Sequence, residues 1–235
     1  MTDHSGRIIL VTGASRGIGY AAAKNLAAEG AHVIAIARTQ GGLEDLDDDI
    51  KAAGGQCTLV PMDLKDGESI DRLGQALQDR FGKLDGLLLN AGQLGDITPL
   101  PHIKPKDFDS ILSVNLTANY RLIRALDPLL RASDAGRVVA MTSSVAQSHR
   151  AYWGVYAISK AGLEAMANIY ADETEVTSVR VNIYDPGGTR TAMRAKAIPG
   201  EDPSLLPDPA DHWPNLSKLL SAEHDKTRQL VRFKG

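Results

Sequence analysis

Short runs of aliphatic and β-branched residues recur along this chain with longer helical stretches between them, and this alternation restricts the fold more than any other feature. The runs are Arg7–Val11, His32–Ala37, Cys57–Pro61, Leu84–Leu89, Arg137–Met141 and Val179–Tyr184, and Gln229–Phe233 supplies the pattern for a further strand near the end. Runs this short and this continuously apolar read as strands buried on both faces. Strand and helix in strict alternation predict an α/β fold: a doubly wound parallel sheet in three layers, α/β/α. No repeat and no linker-like shift in composition interrupts the pattern, so residues 1–235 are expected to form a single domain.

Composition narrows the function classes. Hydrophobic residues make up 43% of the chain and charged ones 23%, the proportions of an ordinary globular protein rather than a disordered or fibrous one. With 26 basic and 29 acidic residues the net charge is −3, and no basic stripe suits a phosphate backbone, which argues against a nucleic-acid partner. Cys57 is the only cysteine, so internal disulfides and thiolate metal cages are excluded, and the six histidines lack metal-ligand spacing. The acidic run Asp45 to Asp49 has Ile50 and Gln56 where a calcium loop needs glycine and glutamate; it reads as a solvated helix face, and no metal is expected. The N-terminal residues do not read as a signal peptide and no apolar run approaches membrane length, so a cytoplasmic location is expected.

Thr12-Gly13-Ala14-Ser15-Arg16-Gly17-Ile18-Gly19 follows the first strand and opens a helix with a glycine stop at Gly30. Glycines here permit a tight turn and a close approach of backbone to a pyrophosphate, and the helix N-terminus offers unpaired N–H groups. Tyr156 and Lys160 stand four residues apart, one turn of a helix, so phenol and ammonium share a face. A free phenol titrates near ~10, and a fixed positive charge beside it is expected to bring it into working range as a proton donor. Phe108, Ile111 and Leu112 continue in a helical stripe to Asn115, which places that amide on a buried face where it needs partners. Ser143 and Ser144 end the fifth strand, at the sheet edge where such folds bind ligands.

Taken with Asn90-Ala91-Gly92 and Pro186-Gly187, these motifs in this order resemble the short-chain dehydrogenase/reductase family in its single-domain, Rossmann-fold form, up to about Met193. The surroundings of Tyr156 and the run Pro186 to Thr191 are most similar to a bacterial oxidoreductase branch of unknown substrate. The resemblance implies hydride transfer between a nicotinamide cofactor and a carbonyl or secondary alcohol, with Asn115, Ser144, Tyr156 and Lys160 as the catalytic set. Ser144 is favoured because a hydrophobic residue follows it, and Ser143 is the alternative. Implied cofactor contacts are Gly13, Ser15, Arg16, Gly17, Ile18, Gly19, Arg38, Thr39, Asp63, Leu64, Asn90, Ala91, Gly92, Tyr156, Lys160, Pro186, Gly187, Thr189 and Thr191. A water held at Asn115 would link Lys160 to solvent, and a homodimer or homotetramer is expected.

The second strand ends in Arg38 and Thr39 instead of the carboxylate that would select NAD(H). Arg38 and Arg16 suit a 2′-phosphate, so NADP(H) is the expected cofactor, with NAD(H) the lesser option. The proline-rich stretch from Pro199 to Pro214 excludes a long helix, and residues 192–215 are expected to cover the substrate. Asp185, just before Pro186, either favours the oxidised cofactor or turns to solvent. The rival function is a non-catalytic NADP(H)-binding regulator or scaffold with the same fold.

Overall fold

The computed structural model describes residues 3–234. The chain runs β1 (Ile8–Thr12), α1 (Gly17–Ala28), β2 (His32–Ala37), α2 (Gln40–Ala52), β3 (Gln56–Pro61), α3 (Gly67–Phe81) and β4 (Gly86–Leu89). It continues with α4 (Pro105–Leu112), α5 (Ala118–Arg131), β5 (Arg137–Met141), α6 (Val145–Ser148), α7 (Gly154–Glu173), β6 (Arg180–Asp185), α8 (Ala192–Ala197), α9 (Trp213–Leu220) and β7 (Leu230–Arg232). Every predicted strand forms, with ends shifted by no more than two residues. The sheet is parallel throughout, in the order β3-β2-β1-β4-β5-β6-β7.

Period-two alternation divides each central strand between two cores. Ile9 and Val11 of β1 join Ala22, Leu26, Leu43, Leu46 and Leu216 from α1, α2 and α9 on one face. Leu10 joins Ile70, Leu73, Leu122, Leu126 and Leu163 from α3, α5 and α7 on the other. The order reverses between β1 and β4, which opens a crevice at their carboxyl ends, the general ligand position in open α/β sheets.

Local chemistry explains the boundaries that matter for this crevice. Gly30 ends the first crossover at φ 87, a conformation that suits glycine. The acidic run lies on α2 as expected: Asp49 pairs with Lys24 at 2.8 Å and Asp47 with Lys51 at 2.6 Å, while Leu43, Leu46 and Ile50 turn inward. Among the described residues no group of three or more metal-ligating side chains converges, and no helix is long and apolar enough to cross a membrane. Arg228 adopts a glycine-like backbone at φ 60, its N–H bonds the Val181 carbonyl, and β7 pairs with β6 beside it.

Candidate active site

The crevice has a glycine wall and a phenol wall. At the glycine wall, Gly13 and Gly17 have φ of 68 and 60, and a Cβ at Gly19 would overlap both the Gly13 carbonyl and Asn90 Nδ2. No side chain caps the first turn of α1 and no acidic residue lies in it, so its main-chain donors and dipole face the crevice without competition. This is a cradle for a pyrophosphate, and it meets the requirements of a dinucleotide on shape and charge. Ser15 packs against Gly42 at the start of α2, and Ile18 packs into the core behind the turn.

Thr12 is the residue that spacing alone did not single out. Its buried Oγ1 donates to the Leu88 carbonyl at 3.3 Å and accepts from the N–H groups of Asn90 and Ala91, both at 3.0 Å. Asn90 Nδ2 reaches back to the Thr12 carbonyl at 2.9 Å. The loops after β1 and β4 are thereby tied together. The only signal for this in the sequence is a hydroxyl at the end of a strand that is otherwise apolar.

Arg16 and Arg38 are both exposed, and neither has a carboxylate partner among the described residues. Thr39 precedes α2 without capping it. Asp63 turns its carboxylate onto the Lys65 N–H at 3.0 Å, and Leu64 beside it is buried.

At the phenol wall, the Tyr156 ring is buried with Leu94, Val145 and Ala157, and Trp153, Met193 and Ala197 pack against this cluster. Ser143 is the side chain that acts on this phenol, drawing its pKa down against the effect of burial. Ser144, the serine favoured above, is exposed and immediately precedes α6, which starts at Val145, whereas Ser143, the alternative, is half-buried.

Lys160 is buried, and its Nζ donates to the Met141 carbonyl at the end of β5, 2.7 Å away. It lies 5.9 Å from the centre of the Tyr156 ring. Burial opposes the acidification of the phenol expected from the sequence. Burial pushes the phenol up to about 12, opposed by Ser143 and reinforced by Asp185, while burial draws the Lys160 ammonium down to about 8.

Asn115 sits in a π turn, Ser113–Thr117, between α4 and α5, a deformation frequent at functional sites. Its amide is fully satisfied: Oδ1 accepts from Gln93 N–H at 2.7 Å, and Nδ2 donates to the Gln93 carbonyl and to Ser159 Oγ, both at 2.9 Å. Gly92 lies between this amide and the lysine, since a Cβ there would stand 3.6 Å from both Asn115 Oδ1 and Lys160 Nζ.

The loop after β6 closes the crevice. Asp185 is buried rather than turned to solvent, and it accepts from Gly187 N–H at 3.0 Å, shaping the turn at Pro186-Gly187, where Gly187 has φ 64. Thr191 lies over the glycine wall, 3.4 Å from where a Gly17 Cβ would be, and caps α8 by accepting from Arg194 N–H. Thr189 turns inward, to His212. The 192–215 segment divides: Met193 and Ala197 of α8 reach the phenol cluster, whereas Trp213 packs on the opposite core with its indole N–H on Glu29.

A family model for short chain dehydrogenases matches residues 7–202. The chain belongs to the short chain dehydrogenase family. It is 44% identical over 211 residues to the uncharacterized oxidoreductase YciK of Escherichia coli (strain K12), covering 88% of this chain and 83% of that one. It is 34% identical over 218 residues to the 3-oxoacyl-(acyl-carrier-protein) reductase FabG of Salmonella typhimurium, covering 92% and 88%. Among solved structures, a short chain dehydrogenase from Shigella flexneri 2a, in complex with NADP, superposes with a TM-score of 0.93 at 41% identity, covering 97% of each chain. This family member is an oxidoreductase with a seven-stranded parallel Rossmann-like sheet.

Proposed function

We propose that the protein moves a hydride between NADP(H) and a carbonyl or secondary alcohol carbon, with the Tyr156 hydroxyl giving or taking the oxygen-bound proton. The observation that carries this reading is the burial of Tyr156 and Lys160 side by side at the carboxyl edge of β5, with Lys160 Nζ on the Met141 carbonyl and Ser143 acting on the phenol. The nicotinamide, when bound, supplies or accepts the hydride. Every other requirement falls to the chain's own residues.

Gly13, Ser15, Gly17, Ile18 and Gly19 cradle the pyrophosphate, and Asn90, Ala91 and Gly92 border the adenosine ribose. Arg16 and Arg38, with Thr39, hold the 2′-phosphate, and Asp63 and Leu64 flank the adenine. Support for NADP(H) over NAD(H) comes from the two unpaired guanidinium groups, the missing carboxylate after β2 and the NADP complex of the Shigella relative. Pro186, Gly187, Thr189 and Thr191 border the nicotinamide end.

In the reducing direction Tyr156 donates its proton to the carbonyl oxygen as the hydride reaches the carbon. Ser143, in place of Ser144, donates a hydrogen bond to the developing oxyanion. Lys160 supplies the positive charge that holds the resulting phenolate, and Asn115 positions it through Gln93 and Ser159. Leu94, Val145, Trp153 and Met193 favour a carbonyl compound with an apolar body, and the FabG relative's name supports reduction as the direction. Two copies pair through α5 and α7, which leave Tyr120, Ile158 and Ile169 exposed.

The rival reading is a cofactor-binding regulator or scaffold without turnover. NADPH oxidation across ketones, β-keto esters and quinones separates the two. With an accepted carbonyl compound, Tyr156→Phe is expected to reduce kcat by about a hundredfold or more, the range of a lost general acid. Undiminished turnover in that variant overturns the catalytic assignment, and NADPH binding without turnover on any of these substrates supports the regulator.

A further inference from the structure

A buried chain of hydrogen bonds behind the loop after β6 has no part in the chemistry above. His212, at the end of the proline-rich stretch, is 0% exposed. Its Nδ1 lies 2.9 Å from the Tyr184 hydroxyl and its Nε2 2.8 Å from Thr189 Oγ1. Phe233 packs edge-on against the ring at 4.5 Å between centroids. Burial holds the imidazole below its ordinary pKa, and a neutral imidazole has one donor and one acceptor.

One arrangement assigns every proton. Asn215 Nδ2 donates to the Tyr184 hydroxyl at 3.4 Å, and Tyr184 donates to His212 Nδ1. His212 Nε2–H then donates to Thr189 Oγ1, which donates to the Pro186 carbonyl at 3.4 Å. The tautomer is assigned from this network, with Asn215 Nδ2 donating at one end and the Pro186 carbonyl accepting at the other.

The chain ends on the segment that spans the crevice. Thr191 rests over Gly17 at one end, while Met193 and Ala197 pack with Tyr156 at the other. A dinucleotide reaching from the glycine wall to the phenol would pass along residues 186–191. The remaining ties of this segment to the 207–212 stretch are the Arg190 N–H on the Pro207 carbonyl and the exposed Arg190–Asp208 pair. His212 is the buried one.

We propose that His212 is a positioning residue that sets the 186–191 segment for the nicotinamide half of the dinucleotide, acting through the Thr189 hydroxyl and the Pro186 carbonyl. The inference rests on the NADP(H) reading above. An apolar side chain at 212 fills the space but leaves the hydroxyls of Tyr184 and Thr189 without their central partner, and the segment relaxes to recover one.

Calorimetric titration with NADP⁺ and with 2′,5′-ADP, which carries the adenosine half and no nicotinamide, tests this. The proteins are the wild type, His212→Leu, His212→Gln, Thr189→Val and the Leu/Val double variant. His212→Leu is expected to bind 2′,5′-ADP within about twofold of the wild type but NADP⁺ about tenfold more weakly, the scale of one buried hydrogen bond. His212→Gln keeps a donor toward Thr189 and recovers most of the loss. In the Thr189→Val background, His212→Leu adds less than about twofold, because the path is already cut. Equal weakening of both ligands, or NADP⁺ affinity unchanged in His212→Leu, overturns the proposal. Should His212→Leu not fold, Thr189→Val and His212→Gln decide it: Thr189→Val must weaken NADP⁺ alone. A wild type that binds neither ligand removes the NADP(H) reading itself, a result distinct from any failure of His212.

Discussion

The glycine wall and the phenol wall of the crevice are built on opposite principles. At the first, backbone shape decides: positive φ at Gly13 and Gly17, no room at Gly19, and an uncapped helix end. At the second, burial decides: Tyr156 and Lys160 are driven toward their neutral forms by the apolar pocket that encloses them. A rigid backbone is ready for its ligand beforehand. A buried ionisable pair is made ready only when its surroundings change.

Substitutions that attack one wall and spare the other sharpen this contrast. Gly19→Ala is expected to have the largest effect, because its Cβ meets a carbonyl and the Asn90 amide rather than the end of a flexible side chain. NADPH binding, followed by fluorescence, falls by about a hundredfold or more while Tyr156 and Lys160 stay as they are, given that overpacking alone costs about 1–3 kcal/mol. At the phenol wall, Ser143→Ala lowers kcat by about a hundredfold or more, in the range of a lost oxyanion donor, with NADPH affinity unchanged. Ser144→Ala serves as its control and stays within about threefold, since Ser144 is exposed and its hydroxyl caps nothing. Equal losses in the two serine variants would refute the one-residue reassignment.

Arg38→Ala tests charge at the glycine end apart from shape. Its expected cost is about tenfold in NADPH affinity, with NADH affinity unchanged and a shallower salt dependence, as for one lost charge-assisted contact at the surface. The smallest effect concerns the whole fold. Burial holds His4, His212 and His224 below their ordinary pKa, His224 with help from the Arg137, Lys218 and Lys226 charges. Below a pH of about 6.5 the unfolded chain binds protons that the fold refuses, so stability is full above that value and declines as pH drops beneath it. Thermal melts between pH 7.5 and about 5 are expected to show a falling Tm, and His212→Gln a weaker fall.

How far each wall was legible follows from the same contrast. Alternating strand and helix, the glycine turn and the stop at Gly30 are properties of local spacing, and they appear in the fold with boundaries moved by a residue or two. The phenol wall depends on what surrounds each side chain, which spacing does not encode. The Tyr156/Lys160 pair was visible, but not the Met141 carbonyl that holds the amine. The sequence favours Ser144 for its hydrophobic neighbour, and it does not encode that this serine stands exposed ahead of α6 while Ser143 is half-buried. The helical stripe placed Asn115 correctly in the interior, yet the π turn around it left no trace in the pattern. His212 and Tyr184 come together only because the proline-rich stretch folds back behind β6, a long-range event that no local window contains.

Thr12 shows what the first wall gains from its construction. A single hydroxyl joins the ends of two neighbouring strands through three hydrogen bonds, so the gap between them is set by one oxygen atom. A molecule entering there finds a slot whose width does not depend on its arrival, and little ordering entropy remains to be lost at that end when it docks.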